Sequence, residues 1–338
     1  MRQARQRAPK DHAEADYHCV SRVVNREFIF GDAEKDFFVQ MMRKYERFYG
    51  LRVMTFCIMS NHFHILVEEP KRPDVMPSDE ALLDEIKRIY SAEAFIQVRW
   101  QLQQFRKIGA DDAAEALRES FFKRMWNVSY FMKSLKQRFT AYYNKKTARK
   151  GTLWEERFRS VLVQSGNALM KMAAYIDLNP IRAGMLEKPE DYRWCGYAEA
   201  FAGRATAQRA IKAIVETHQR IPMTNDAALA KYRALLYSDG EAMQAGQNGE
   251  SGRKGVSRER VQEVIRAKGK LSSWEMLRCK VRYFTDGVAL GTKEFVDLVF
   301  QAERHRFGPK RETGARKMRH VDAGELRTLR DLRIDSVG

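Results

Sequence analysis

Short apolar stretches and one amphipathic segment alternate along the N-terminal part of the chain. Residues 17–24 form a short stretch rich in apolar and β-branched residues, which predicts a first β-strand. Residues 33–49 carry apolar side chains at helical spacing. Two further apolar runs, 51–59 and 62–68, flank the turn-forming pair Ser60-Asn61 and predict a hairpin. The predicted order is β-α-β-β.

The next part of the chain returns to helical spacing. A Pro-rich break precedes an acidic, helix-patterned insertion or lid at about 74–120, and residues 127–146 predict a long amphipathic helix. Residues 153–163 read as extended, and 168–178 predict a helix that ends before Pro180, because the residue before proline disfavours the α conformation. The pattern as a whole predicts an α+β fold with an antiparallel sheet and helices on one face.

The C-terminal third has a different character. Residues 239–255 are rich in Gly, Gln, Ser and Asn and predict a linker. Helical spacing returns in three later stretches, and a basic tail begins at Gly308. The predicted division is a core at 12–200, a helical extension and linker at 201–255, and a basic, mainly helical domain at 256–338 with helices at 257–267, 273–283 and 293–306.

Composition narrows the class of partner. The chain has 338 residues, a net charge of +17 and a hydrophobic fraction of 44%, and its pI near 9.7 indicates a polyanion such as nucleic acid or an anionic membrane. We find no apolar run long enough to span a bilayer and no secretory signal at the start. The four cysteines are widely separated, which argues against a zinc finger and fits a reducing cytoplasm, with the nucleoid as the expected location: Cys19, Cys57, Cys195 and Cys279.

Positive charge is concentrated in one segment. Residues 123–159 contain eleven Lys or Arg against two Glu, whereas residues 74–119 contain ten acidic and six basic residues. The basic segment is the expected footprint of a phosphate backbone, and the alternative is a solvated helix face. The candidate DNA-binding residues are Lys133, Lys136, Arg138, Lys145, Lys146, Arg149, Lys150, Arg157 and Arg159.

Two histidines alternate with a phenylalanine in the third predicted strand. His62 and His64 then share one face, while Phe63 points into the core. Two imidazoles on a rigid strand can bind a divalent metal, although such a pair also occurs incidentally. Tyr175 and Asn179 lie four residues apart near a helix end, so a phenol and an amide oxygen could join the same site. Mg²⁺ or Mn²⁺ would suit this mixed set of donors once phosphate oxygens complete it.

Several blocks in the right order resemble REP-associated tyrosine transposases, within the single-tyrosine endonucleases that share a His–hydrophobe–His motif. The resemblance covers roughly residues 12–200. Its blocks are Tyr17-His18-Cys19-Val20-Ser21-Arg22, Met59-Ser60-Asn61-His62-Phe63-His64, Gly151-Thr152-Leu153-Trp154-Glu155-Glu156-Arg157-Phe158 and Ala174-Tyr175-Ile176-Asp177-Leu178-Asn179-Pro180-Ile181-Arg182-Ala183-Gly184.

The resemblance implies a ferredoxin-like antiparallel sheet with the histidine pair on a central strand, and a catalytic role for several residues. Tyr175 would attack a phosphodiester of single-stranded DNA near a palindromic hairpin and form a 5′-phosphotyrosine link. His62 and His64 would be metal ligands, with Asn179 as the third. The implied partner is single-stranded or hairpin DNA rather than a membrane, and a homodimer and a monomer are both open.

Alternatives remain at this stage. A catalytically silent DNA-hairpin binder would use the same scaffold, and a zinc-dependent hydrolase would leave Tyr175 structural. Tyr142 and Tyr143 are competing tyrosines that we interpret as packing or base-stacking residues, and Trp154 as a core residue or a stacking one. The C-terminal part is either a DNA-binding module or a brace for the core.

Overall fold

The computed structural model describes residues 14–186, 188–241, 284, 288–318 and 323–329. Four strands and two crossover helices follow one another as β-α-β-β-α-β, with a helical insertion before the second crossover. The strands lie in the order β2-β3-β1-β4, and each neighbouring pair is antiparallel, which is the ferredoxin-like arrangement. These elements are β1 Glu14–Arg22, α1 Asp32–Phe48, β2 Arg52–Ile58, β3 His62–Pro70, α5 Val128–Thr147 and β4 Arg159–Val163. The predicted α+β class and antiparallel sheet are confirmed.

One face of the sheet is covered by the two crossover helices. Phe63 of β3 is fully buried there and packs against Phe38 of α1, with the ring centroids 4.7 Å apart. Phe139 of α5 completes the layer, at 5.4 Å from the Phe38 ring. The side chain of Asn127 caps α5 by accepting hydrogen bonds from the amides of the first helical turn, which fixes where this helix begins.

The opposite face is covered as well, so helices lie on both faces rather than on one. Met54, Leu66 and Val161 are buried on this side among side chains of the later helices. The second and third strands are near-continuous apolar runs, which is the pattern of strands covered on both faces. The prediction of helices on one face is therefore corrected. The covering helices are α6 Asn167–Asp177, α7 Asn179–Arg182, α8 Gly196–Phe201, α9 Ala205–Gln219 and α10 Asn225–Glu241.

The acidic insertion is helical, as its pattern predicts, and consists of three helices. Ser78 and Ser91 cap the first two by accepting hydrogen bonds from backbone amides. Leu82 and Phe121 from the insertion are buried in the same apolar cluster as Phe63. The insertion therefore packs on the side of the crossover helices, away from the face that carries the histidines. Its helices are α2 Asp79–Ile89, α3 Ala92–Lys107 and α4 Asp111–Phe122.

The described C-terminal residues continue the same sheet. A short strand pairs in parallel with β4, and two more strands extend the sheet beyond it, in the order β4-β5-β7-β6. The helix predicted at 293–306 is present, whereas the linker at 239–255 and the helices at 257–267 and 273–283 lie almost wholly outside the described residues. The domain division stays a prediction. These elements are β5 Ala289–Gly291, α11 Lys293–Ala302, β6 Arg316–Lys317 and β7 Arg327–Thr328.

Within the described ranges, none of the helices has both the length and the apolar content that crossing a membrane requires.

Candidate active site

His62 and His64 share one face of β3, as the alternation predicts. Their ring centroids are 5.1 Å apart, and Phe63 points to the other side of the sheet. Nδ1 of His62 lies 2.7 Å from Oδ1 of Asn61, and the Asn61 amide nitrogen donates to a backbone carbonyl, which fixes that side chain's orientation. His62 therefore donates from Nδ1 and carries its lone pair on Nε2, the nitrogen with which a histidine can bind metal.

A third histidine, which the sequence analysis did not select, lies behind this pair. His18 of β1 is fully buried, and its Nε2 lies 2.9 Å from Nδ1 of His64. Its Nδ1 donates to the backbone carbonyl of Phe284 over 2.7 Å. His18 belongs to a predicted strand, but the sequence gives no strand register, and only the register places it beside His64.

Tyr175 lies against both buried histidines. Its ring centroid is 6.1 Å from that of His18 and 6.0 Å from that of His64. Phe284 stacks on the tyrosine ring at 4.8 Å, and the guanidinium carbon of Arg182 lies 3.9 Å from its centroid. Tyr175 is only 3% exposed because of these neighbours. The structure thus brings the predicted nucleophile and the histidine pair together.

The helix that carries Tyr175 is fixed by a buried carboxyl group two residues later. Asp177 accepts hydrogen bonds from Thr55 Oγ1 of β2 at 2.7 Å and from the Tyr232 hydroxyl of α10 at 2.6 Å. Burial raises the pKa of Asp177 to about 6, and the hydrogen bonds oppose that shift. These contacts attach α6 to the sheet and to α10, which holds the tyrosine over the histidines.

Asn179 begins α7 directly after the tyrosine helix. Its side-chain nitrogen donates to the carbonyls of Tyr175 and Ile176, both at 3.3 Å, so it caps the end of α6. The guanidinium of Arg182 donates to the same Tyr175 carbonyl at 2.7 Å. Asn179 is buried beside the predicted nucleophile, and its place as a metal ligand remains a prediction. Arg182 is therefore part of the site, although the sequence alone predicts no role for it.

The electrostatics of the histidines favour neutral rings. Burial lowers the pKa of His18 to about 4, the carbonyl of Phe284 opposes this, and Arg182 adds to it. Burial is also the largest cause that lowers the pKa of His64 well below its usual value, followed by the charges of His18 and His62. Neutral imidazoles are the form that binds metal.

The donors present fit a divalent metal that takes only part of its ligands from the protein. Within the part of the chain that the structure describes, no three His, Cys, Asp or Glu side chains are grouped so as to hold a metal ion. A site here would use His62 and His64, with an amide oxygen from Asn179 and phosphate oxygens for the rest, which suits Mg²⁺ or Mn²⁺.

Two arginines lie on the histidine face of the sheet. Arg22 of β1 is directly opposite His62 in the strand register. Arg159 of β4 is opposite Val20, which is itself opposite His64. Both arginines are exposed, so they border the site on its open side. Arg159 was among the predicted phosphate contacts, whereas Arg22 was not selected, again because its position depends on the register.

The basic residues of α5 lie on the other side of the sheet, with the crossover helices. Lys136 is buried, and its ammonium donates to the carbonyl of Glu156 at 2.8 Å, so it is a packing residue here rather than a surface cation. Burial lowers the pKa of Lys136 to about 8. Lys146 pairs with Glu34. The other predicted residues of this segment are exposed or half-buried: Lys133, Arg138, Lys145, Arg149, Lys150 and Arg157.

The competing aromatic residues are used for packing. Tyr142 stacks on Phe37 with the centroids 3.8 Å apart, and Tyr143 stacks on Phe139 at 6.2 Å. Trp154 is buried, and its ring nitrogen donates to Thr140 at 2.9 Å. These residues belong to the layer opposite the histidines, which removes Tyr142 and Tyr143 as rivals of Tyr175 at this site.

The fold and the site share one arrangement. A ferredoxin-like sheet carries a histidine pair on a central strand, and the helix α6 with Tyr175 packs over these histidines. The family model described as "Transposase IS200 like" matches residues 12–107. That range includes β1, β2 and β3 and therefore all three histidines of the site. The resemblance to transposases seen in the motifs is thus confirmed over this range.

One solved structure that matches the chain is titled "Structure of the REP associates tyrosine transposase bound to a REP hairpin". Its sequence identity is 11% and its TM-score 0.35, and the match covers 60% of this chain and 87% of the other. A likeness of this size adds nothing to the fold described above. None of the curated proteins compared with the chain matches it.

Proposed function

We propose that this protein is a metal-dependent, single-tyrosine DNA endonuclease and strand transferase that acts near DNA hairpins. The observation that carries the proposal is the position of Tyr175, whose ring lies about 6 Å from the rings of His18 and His64. A lone histidine pair or a lone tyrosine would have structural explanations. Here the tyrosine ring packs against the histidines on one face of the sheet, in a chain that is similar to IS200-like transposases at residues 12–107. This combination favours phosphoryl transfer.

The proposed step moves one phosphoryl group without loss of bond energy. The Tyr175 oxygen attacks the phosphorus, the bond from phosphorus to the 3′-oxygen breaks, and the phenolic proton is lost as the 3′-oxygen gains one. The products are a 5′-phosphotyrosine and a free 3′-hydroxyl. The phosphodiester bond to the 3′-oxygen is exchanged for a phosphodiester bond to the tyrosine oxygen, so a later 3′-hydroxyl can reverse the step on another strand without ATP.

The residues around Tyr175 have distinct parts in this step. A divalent metal, when bound, would polarise the scissile phosphate and help to bring the phenol to it. His62, His64 and Asn179 would hold that metal. Arg182, 3.9 Å from the tyrosine ring, supplies positive charge where the phenol loses its proton. Arg22 and Arg159 contact the phosphates that flank the cleaved one.

A second candidate function is hairpin binding without cleavage. The observation that favours it is the 3% exposure of Tyr175, since a permanently covered phenol cannot react. This binder would retain the arginines of the histidine face and have no use for the phenol oxygen.

Covalent capture separates the two functions. The protein is incubated with Mg²⁺ or Mn²⁺ and a hairpin oligonucleotide labelled at its 3′ end, and a denaturing gel is examined for label in the protein band. We expect an adduct from the wild type and none from Tyr175→Phe, which removes only the oxygen and keeps the ring. Tyr142→Phe is the matched control and should keep the adduct, because Tyr142 stacks in the opposite layer.

The remaining outcomes are equally decisive. An adduct that persists in Tyr175→Phe would assign the nucleophile to another residue. Tight hairpin binding by the wild type with no adduct under either metal would support the silent binder.

A further inference from the structure

His18 is not one of the proposed metal ligands, but its hydrogen bonds determine which nitrogen of each neighbouring ring carries a proton. Its Nδ1 lies 2.7 Å from the Phe284 carbonyl, and its Nε2 lies 2.9 Å from Nδ1 of His64. A carbonyl oxygen can only accept a hydrogen bond, so the proton of the first contact must sit on His18 Nδ1. The direction of the hydrogen bond between His18 Nε2 and His64 Nδ1 then depends on whether the His18 ring is charged.

A doubly protonated His18 would be a buried cation. The side chain is 0% exposed, and Arg182 is a charged neighbour of the same sign. Burying an unpaired charge is strongly unfavourable, so the ring is neutral and its Nε2 accepts. His64 must therefore donate from Nδ1, which leaves the lone pair of His64 on Nε2. His62 reaches the same tautomer through Asn61.

We propose that His18 is a positioning residue that holds His64 in the Nδ1–H tautomer and so presents its Nε2 lone pair to a divalent metal. The role in metal binding rests on the proposed function, whereas the control of the His64 tautomer does not. Histidines that bind metal commonly donate their other ring nitrogen to an acceptor that fixes the ring. Here the acceptor is a second imidazole, itself anchored to a backbone carbonyl from the C-terminal part of the chain.

The opposing interpretation is that His18 only fills the core. If His18 only fills space, an apolar ring should replace it without effect on His64. If His18 acts as a hydrogen-bond acceptor, only another acceptor should preserve the tautomer of His64. His18→Phe keeps an aromatic ring and removes the acceptor. His18→Gln loses the ring but can place a carbonyl oxygen near the position of Nε2. The two variants therefore separate packing from hydrogen bonding.

The first measurement needs neither metal nor DNA. Long-range ¹H–¹⁵N spectra of ¹⁵N-histidine protein report the tautomer of each ring, and a His64→Gln variant identifies the signals of His64. We expect the Nδ1–H tautomer for His64 in the wild type and in His18→Gln, and loss of that preference in His18→Phe. An Nε2–H tautomer in the wild type would overturn the proposal, even if His18→Phe fails to fold.

The second measurement is the affinity for Mn²⁺, followed by the EPR signal of the free ion. We expect His18→Phe to weaken Mn²⁺ binding about 10–100-fold and His18→Gln to restore most of it. Equal affinities in the wild type and His18→Phe would overturn the positioning role. If the wild type binds no Mn²⁺ while the tautomer responds to His18 as expected, the proposed function fails and the control of the tautomer stands.

Discussion

At the scale of single residues, Asp16 is a buried carboxyl group outside the site whose pKa is raised. It is buried in β1 opposite Glu68, one oxygen accepts from Ser165 at 3.0 Å, and the other has no hydrogen-bond partner among the described residues. Burial, followed by the charge of Glu68, raises the pKa of Asp16 to about 7. The folded state therefore keeps a proton that the unfolded chain loses from pH 4 upward.

The sign of this shift gives a prediction. Between the unfolded pKa near 3.8 and the folded pKa near 7, the folded state binds more protons, so raising the pH lowers the stability of the wild type. Asp16→Asn cannot ionise and should raise the free energy of unfolding at pH 8 by roughly 2–4 kcal/mol, with little change at pH 4.5. Urea denaturation at both pH values measures it.

The matched control is the same substitution in an exposed loop. Asp74 forms an exposed ion pair with Lys71 at 3.5 Å, so Asp74→Asn should change the stability by less than about 1 kcal/mol at both pH values. Equal effects of Asp16→Asn at pH 4.5 and pH 8 would show that Asp16 is already ionised in the folded protein.

The residues of the site differ in how far the sequence could predict them. His62, Phe63 and His64 could be placed because alternation within one strand is a local property. His18 and Arg22 could not, because their partners lie across a strand pair whose register depends on side-chain packing of the whole sheet.

At the scale of elements, α5 ends on a residue in an unfavourable conformation. Ala148 follows the helix with φ 52° and ψ 23°, in the left-handed region where glycine has no steric penalty. Ala148→Gly should raise the free energy of unfolding by about 1 kcal/mol. Thermal or urea denaturation measures the change.

The control lies in the same helix. Ala141 is exposed in the interior of α5, where glycine should instead lower the stability by about 1 kcal/mol. The same substitution should thus change the free energy of unfolding in opposite directions at two positions seven residues apart. A loss of stability in Ala148→Gly would mean that the helix does not end in the left-handed conformation.

Element boundaries were the most predictable feature of this fold. The first helix, the hairpin strands and the helix after Asn127 appear within a few residues of their predicted limits, because apolar spacing and capping residues are local signals. The strands β5 to β7 were not predicted. They have two or three residues each, which is too short for any alternation to show.

At the scale of the whole molecule, the sheet separates two basic surfaces. Arg22 and Arg159 lie on the histidine face, whereas the exposed cations of α5 lie outside the crossover layer. Composition could predict a polyanionic partner but not this separation, since both strands and helices contribute lysine and arginine. A short single-stranded oligonucleotide bound at the site should therefore contact only the surface that carries Arg22 and Arg159.

Salt dependence tests that separation. For a short unpaired oligonucleotide, Arg22→Gln should weaken binding and reduce the slope of log affinity against log salt by about 0.7, the value for one single-strand phosphate contact. Arg138→Gln, on the outer side of α5, should leave the slope unchanged. A slope that responds to Arg138 and not to Arg22 would place the strand on the opposite face.

The central claim is that the Tyr175 oxygen forms the covalent link to DNA, and its most direct test is the mass of the linked peptide. After reaction, nuclease and trypsin digestion should leave a nucleotide on the peptide 172–182, which contains Tyr175 as its single tyrosine. The account predicts fragment ions that place the phosphate on that tyrosine. A nucleotide on the peptide that contains Tyr142 and Tyr143 would contradict it, and so would an adduct attached to any residue other than tyrosine.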